Sequence, residues 1–354
     1  MLKTFIVFVL MIGFLISIHE LGHLIAAKWA GVYCYEYSIG MGPLLFKRKG
    51  KETQFSIRAL PIGGYVAMAG ETEDSQEAYP DIEVPKGRHL FEVPKWKQAI
   101  VMAAGIVMNI IVAFVFMYVA VLGNGGYVEQ NGSFENVVLV ENDSPAQQAG
   151  LLVGDRIIAI VEDDQTINLE NGKTISTYID DQPLEIIVDR DGEEVNLMLT
   201  PQYNQESQKY MIGIGTNRAE FVKANAFSAI KGSWIMVCDI SSQLFNALKG
   251  MVTGDGLKNL SGIVGVYQAT DQIVQTGIVN VLVFVGMFSL NLAIFNALPL
   301  PALDGGRIVL LGIEKVIGRP LNKKVVNGLV MGSFIFLIGL TVVITFKDII
   351  GLFN

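Results

Sequence analysis

The chain has 354 residues, 51% of them apolar, with a mean hydropathy of +0.44 and a net charge of −8. This is too apolar for an ordinary soluble domain, and the acidic balance argues against nucleic acid as a partner. Cys34 and Cys238 are the two cysteines and lie far apart, so neither a disulfide framework nor a zinc knuckle is indicated.

A membrane-crossing helix needs about 20 mostly apolar residues. Four windows qualify: 4–27, 98–122, 278–298 and 325–346. Lys3 ahead of an apolar run gives the first window the outline of a secretory signal. A cleavage region containing His-Glu-x-x-His would be odd, however, and no small-x-small site precedes it, so the window reads as a retained span.

That span carries His19-Glu20-Leu21-Gly22-His23. Ionisable groups at membrane depth are expensive and usually functional. Residues four apart share one helix face, so His19 and His23 can address a single metal ion. Imidazole suits zinc, and catalytic zinc usually takes three protein ligands plus water. Glu20 adjoins the pair, where a carboxylate can take a proton from water whose pKa the metal lowers to about 7. A proton relay would not require this spacing. His89, the third histidine, sits in a polar loop with no partner at ligand spacing.

Residues 28–97 hold ten Lys/Arg. Within them, residues 54–70 alternate apolar positions around Pro61 and Gly63-Gly64, which predicts a hairpin dipping into protein or membrane. Proline confines such a strand to a sheet edge, and an edge beside an active centre would hold a substrate in extended form. A plain cytoplasmic hairpin is the alternative.

Beyond the uncharged second span, residues 124–220 carry 18 acids against five bases. A strand at 137–140 is followed by Ser144-Pro145 capping a short helix, a Gly150 stop, a strand through 157–160, and a hairpin around Asp191-Gly192. The order of elements and the wording SPAQQAGLLVGDRIIAI over residues 137–201 resemble a PDZ domain, a module that binds extended chain by strand addition. A lid or size filter without its own ligand is the competing reading. Residues 224–248, with Lys231 and Asp239, read as an amphipathic interfacial helix.

The third span runs through Asn291 and Asn296 into Leu298-Pro299-Leu300-Pro301-Ala302-Leu303-Asp304-Gly305-Gly306. Irregular backbone at membrane depth is tolerated only when buried in protein or lining a wet cavity. Asp304 would meet the histidine pair if the two spans pack together; alone, it would read as a solvated turn residue. Residues 305–326 hold five bases against one acid. The positive-inside rule then puts the first and last connections in the cytoplasm, the acidic region and both termini outside, and the histidine motif near the cytoplasmic side.

HELGH in the first span and NALPLPALDGG after the third resemble the site-2 protease family of intramembrane zinc metalloproteases. The bacterial regulator of sigma-E protease type, here with a single PDZ unit, is the nearest form. LPIGGYVAMAGE in the first loop and LSGIVGV before span three extend the resemblance over nearly the whole chain. Where the family often reads Gly-Pro-x-x-Asn in span two, this chain has Gly105-Ile106-Val107-Met108-Asn109, and the family's Ser-Gly-Pro-Val-Gly appears as Ser261-Gly262-Ile263-Val264-Gly265, both without the proline. The resemblance implies Zn2+ held by His19, His23 and Asp304, with Glu20 as general base. It also implies that Asn291, Asn296 and the hairpin residues Gly63, Gly64 and Tyr65 position substrate; an asparagine in a span can instead simply bond a neighbouring helix.

The expected fold is an α-helical multi-pass membrane protein of four transmembrane helices, with a membrane-associated β-hairpin and an inserted extracytoplasmic α+β PDZ domain. Its divisions would be 1–123, 124–205, 206–277 and 278–354. The resemblance implies cleavage of single-span membrane proteins, which for family members are anti-sigma factors, remnant signal peptides or pheromone precursors trimmed beforehand by a site-1 protease. The lipid bilayer is the other expected partner, and no oligomer is required. A transporter using the same ionisable residues would be expected to show internal repeats, which the two halves lack. A membrane-anchored PDZ scaffold would leave Glu20 and Asp304 without a role.

Overall fold

The computed structural model describes residues 2–71, 78–129, 134–162, 165–169, 174–205, 209–218, 220–253 and 262–351. Leu260 and Ser261 of the LSGIVGV stretch lie outside them. The chain divides into two compact units, one comprising Met1–Asn124 with Ser233–Asn354 and the other Gly125–Gly232.

The first unit begins with helix α1 (Leu2–Ala30) and a pair of long strands, β1 (Cys34–Lys49) and β2 (Gln54–Met68). Helix α2 (Lys95–Gly123) follows and runs unbroken through Ile106, as expected of a helix without the proline that would kink it. Helix α1, at 29 residues, is about 43 Å long, enough to cross a hydrocarbon core of about 30 Å. Among the described residues, four helical stretches are long and apolar enough to span: Lys3–Ala30, Lys95–Gly123, Ile278–Asn296 and Lys323–Asp348.

Small residues let these helices meet backbone to backbone. A Cβ on Gly22 would stand 2.4 Å from the Ala104 carbonyl oxygen, so α1 and α2 touch at that point. A buried apolar cluster of Leu24, Ala27, Val101 and Met102 continues the contact.

The strand pair differs from the expected hairpin. Residues 54–68 do turn back within β2, but their two arms do not pair with each other: Tyr37 of β1 lies opposite both Val66 and Phe55, so the start of β1 runs between them. Tyr37 lies opposite Val66 and Ile39 opposite Gly64, while Arg48 lies opposite Phe55. Positive φ at Gly40 and Gly42 bends β1 and breaks the clean alternation that would have revealed it.

The second unit contains β3 (Gly126–Glu129), β4 (Glu135–Val140), the short α3 (Pro145–Gln148), β5 (Arg156–Glu162), β6 (Gln165–Asn168), β7 (Leu184–Arg190) and β8 (Glu193–Leu199). Strands β9 (Gln202–Asn204), β10 (Lys209–Met211), β11 (Ile214–Asn217) and β12 (Glu220–Lys223) complete it. Its main sheet has the order β11-β4-β5-β7-β8, with β6 beside β5. Ser144 caps α3 by accepting from the Gln147 amide. The β7–β8 turn uses Asp191 and Gly192, both at positive φ, the pair that a tight hairpin demands. A buried core that includes Ile157, Ile160, Ile186, Val188 and Leu199 belongs to this unit alone.

Helix α4 (Ala226–Thr253) leads back to the first unit, which continues with α5 (Ile263–Gln275), α6 (Ile278–Asn296), α7 (Asp304–Ile317) and α8 (Lys323–Gly351). Helix α6 packs on α2: Ser289 donates to the buried Asn109 carbonyl at 2.7 Å, and Gly286 lies against Met117 and Ala113. Between α6 and α7 the chain doubles back tightly. A Cβ on Gly305 would meet the Ala297 carbonyl oxygen at 2.2 Å, and one on Gly306 the Leu300 oxygen at 2.0 Å. The two glycines thus let α7 start pressed against the chain that leads into it, with Asp304 as its first residue.

Candidate metal centre

Helix α1 presents His19 and His23 on one face, four residues apart, and the α6–α7 reversal delivers Asp304 to the same spot. The Asp304 Oδ2 atom lies 3.1 Å from His19 Nε2 and 3.3 Å from His23 Nε2. The two nitrogens are 3.2 Å apart, and the rings stand nearly perpendicular, at 85°. Both histidines are buried.

This triangle fits zinc. Ligand bonds of about 2.0–2.2 Å at tetrahedral angles put neighbouring donor atoms about 3.3 Å apart. Asp304 Oδ2 is buried without a hydrogen-bond partner among the described residues, although it faces two nitrogens at close range. Electron-rich atoms converging without protons between them are what a cation would resolve. His23 Nδ1 lies 2.8 Å from the Val101 carbonyl oxygen; it can only donate to that oxygen, which leaves the Nε2 lone pair for a metal.

Glu20 points to the other side of the centre. Its Oε2 accepts from the Val66 amide of β2 at 3.2 Å. Strand β2 reaches this position by lying along α1: Gly13 meets the Pro61 carbonyl and Gly64 lies beside Ser17, while the Tyr37 hydroxyl donates to the Ser17 carbonyl at 2.8 Å. A cavity of about 230 Å³ opens on the centre, lined by His19, Glu20, His23, Val66, Met68, Glu71, Met102, Asn296, Ala302, Leu303, Asp304 and Arg307. Arg307, one turn into α7, pairs with Glu71 just beyond the end of β2.

Of the residues anticipated from sequence, His19, Glu20, His23, Asp304 and Asn296 share this cavity. Asn291 does not line it, and neither do Gly63, Gly64 and Tyr65. Gly63 takes a φ of +94° against Met41, and Gly64 packs on α1. Tyr65 lies under the Arg58 guanidinium, 5.5 Å from its ring centroid. His89 is bonded to Glu92.

Several contributors escaped the sequence reading. The Val66 amide has no side-chain signature. A Cβ on Gly105 would stand 2.5 Å from His23 Nε2 and 2.8 Å from His19 Nε2, so α2 presses its bare backbone onto both rings. Asn109, one turn later and fully buried, approaches His19 Nδ1 at 3.3 Å. The family's Gly-Pro-x-x-Asn pattern, met here as Gly105 to Asn109, marks both residues without giving either a role.

The model of Peptidase family M50 matches residues 7–340. The chain is 31% identical to the regulator of sigma-W protease RasP of Bacillus subtilis, over 99% of each chain. It is 30% identical to the zinc metalloprotease RasP of Bacillus licheniformis, over 99% of this chain and all of the relative. It is also 30% identical to the probable protease eep of Enterococcus faecalis, over 98% of this chain and 99% of the relative. A family match across nearly the whole chain, together with relatives similar end to end, means that the chain belongs to Peptidase family M50 and is a zinc metalloprotease of the membrane.

Proposed function

We propose that this enzyme hydrolyses peptide bonds of single-span membrane proteins at or near membrane depth, in regulated intramembrane proteolysis of the site-2 type. The observation that carries the reading is the triangle of His19, His23 and Asp304 within a chain bearing four membrane-length helices. His19 and His23 hold the zinc from one helix and Asp304 from another. Bound there, the ion supplies Lewis-acid polarisation and an acidified water.

Glu20 is the general base. It takes the proton of the attacking water and returns it to the departing amide nitrogen, the usual division of labour for a single carboxylate in hydrolysis. Asn296 in the cavity wall offers an amide to the substrate backbone or the developing oxyanion. Asn291, outside the cavity, is a weaker candidate for that role. A helical substrate satisfies its own backbone and hides the scissile bond, so it must unwind locally. The outer edge of β2 at residues 63–66 receives the released strand by backbone pairing, with Tyr65 and the two glycines shaping that edge.

The charge asymmetry of the connections supports a cytoplasmic-side zinc site, with both termini and the second unit outside. The strand order and capped short helix of the second unit support a PDZ fold serving as a filter against bulky ectodomains, so that substrates arrive trimmed by an earlier protease. A relative's name, regulator of sigma-W protease, makes anti-sigma factors the first substrate class to try.

The test compares Glu20→Gln and His23→Ala in purified protein and in cells. Glu20→Gln should keep its zinc while abolishing cleavage and accumulating trimmed single-span fragments; His23→Ala should lose both zinc and activity. Normal cleavage by Glu20→Gln would sink the assignment.

A further inference from the structure

His23 has an evident support in the Val101 carbonyl; the support of His19 takes more reading. Its Nδ1 faces the Asn109 Nδ2 at 3.3 Å. The other end of that amide, Oδ1, is buried with no hydrogen-bond partner among the described residues. An imidazole can bind a cation through Nε2 only when its proton sits on Nδ1. That Nδ1–H then needs an acceptor, which an amide nitrogen is not and an amide oxygen is. A half-turn of the Asn109 amide, whose two ends are nearly the same size, exchanges them. It pairs the unpartnered oxygen with the proton that the metal-bound tautomer must carry.

A buried asparagine in a span usually bonds a neighbouring helix through its side chain. Here the bond to α6 is made by the Asn109 backbone, whose carbonyl accepts from Ser289. The side chain is therefore left to His19, while the backbone is held from behind. Gly105, one turn earlier on the same face of α2, keeps the helix close enough for the reach.

We propose that Asn109 is the positioning residue of His19: its Oδ1 accepts the Nδ1 proton, fixes the tautomer and leaves Nε2 free for zinc. This rests on the reading of His19, His23 and Asp304 as the zinc ligands. The two histidines are then held in the same way, one by a main-chain carbonyl and the other by a side-chain amide. Only the second can be removed by substitution.

The experiment measures zinc affinity of the full chain in detergent by competition with a chromophoric chelator, with helicity and thermal unfolding followed alongside. Asn109→Leu, similar in size but without an acceptor, should bind zinc about 10–100-fold more weakly, the usual effect of losing a support to a metal-bound histidine. Asn109→Asp, which restores an acceptor oxygen, should bind as tightly as wild type or tighter. Asn109→Leu within twofold of wild type, or Asn109→Asp falling as far as Asn109→Leu, overturns the proposal. His19→Ala is the control: if it binds zinc normally, the ligand reading itself fails.

Should Asn109→Leu not fold, a protein that keeps Asn109 decides through 15N-histidine NMR of the zinc-loaded form. In a His89→Gln background the ring protons come from His19 and His23 alone. Two ring N–H signals protected from exchange are expected, and a single protected signal overturns the proposal.

Discussion

Gly105→Ala isolates the metal centre from the helix that supports it. The new methyl would stand 2.5 Å from His23 Nε2, 2.6 Å from His19 Cε1 and 2.8 Å from His19 Nε2. Comfortable contact needs about 3.5 Å, so the rings or the helix must yield by about 0.7–1 Å. Zinc bond lengths tolerate only about 0.2 Å. Helix α1 already touches the α2 backbone at Gly22 and Ala104, and His23 is tied to Val101. Without metal the rings can turn aside, but with metal they cannot, so the clash weighs chiefly on binding. Overpacking typically costs about 1–3 kcal/mol, which converts to roughly a fivefold to 150-fold loss of zinc affinity. Alanine meanwhile favours the helix interior over glycine by about 1 kcal/mol, so α2 itself should not melt. Chelator competition gives the affinity, and circular dichroism with thermal unfolding reports the helices. Wild-type zinc affinity in a folded Gly105→Ala protein would refute the reasoning.

Two further predictions concern the second unit. The Asp155 carboxylate is buried; it accepts from Arg190 Nε at 2.8 Å and Nη2 at 2.6 Å, and from the Leu152 amide at 2.8 Å. Burial acts to raise its pKa, but the Arg190 and Leu152 bonds outweigh it and hold the group below the ordinary carboxylate range. A depressed folded pKa places this stabilisation above the unfolded value of about 4 and removes it as pH falls through the folded one. Arg190→Ala should destabilise this unit near neutral pH, by leaving the buried Asp155 carboxylate without its cation, and flatten the loss of protection below pH 4. Hydrogen exchange of β5 and β7 peptides reads both, and an unchanged acid dependence would count against the pairing. Separately, Ile160→Asp puts an unpaired charge into the core of this unit. It should let the enzyme cut a substrate that still carries a folded ectodomain, while zinc content stays the same. If cleavage still falls with ectodomain size as in wild type, the filter reading fails.

What could be read from the sequence follows from how far each interaction reaches along the chain. His19 and His23 obey the period of a single helix, so their spacing alone announced a shared target. The spans were legible because a membrane helix must be apolar for its whole length. Asp304 lies 281 positions beyond His23; only the prolines and glycines around it, with the family resemblance, marked it out. Strand β1 stayed hidden because its bends at Gly40 and Gly42 spoil a two-residue period. The Val66 amide was invisible in principle, since every residue except proline carries the same N–H. Asn109 was plainly visible as a polar residue in an apolar span, but its meaning depends on which ring stands opposite, and that is a property of packing.

The packing also explains why one short motif can serve a site assembled from four elements. Helix α1 uses two of its faces. Gly13, Ser17 and Glu20, at spacings of four and three, meet β2 through Pro61, Gly64 and Val66. His19, Gly22 and His23, at spacings of three and one, turn towards α2, and the two rings also meet Asp304 at the head of α7. Glu20 follows His19 directly and so falls on the seam between those faces. Its carboxylate is anchored by a strand edge, whereas the neighbouring imidazoles are anchored by a helix backbone. A residue that must handle protons next to a cation, without itself becoming a ligand, needs this separation. Because consecutive helix positions diverge by about 100°, placing the acid immediately after the first histidine is what achieves it.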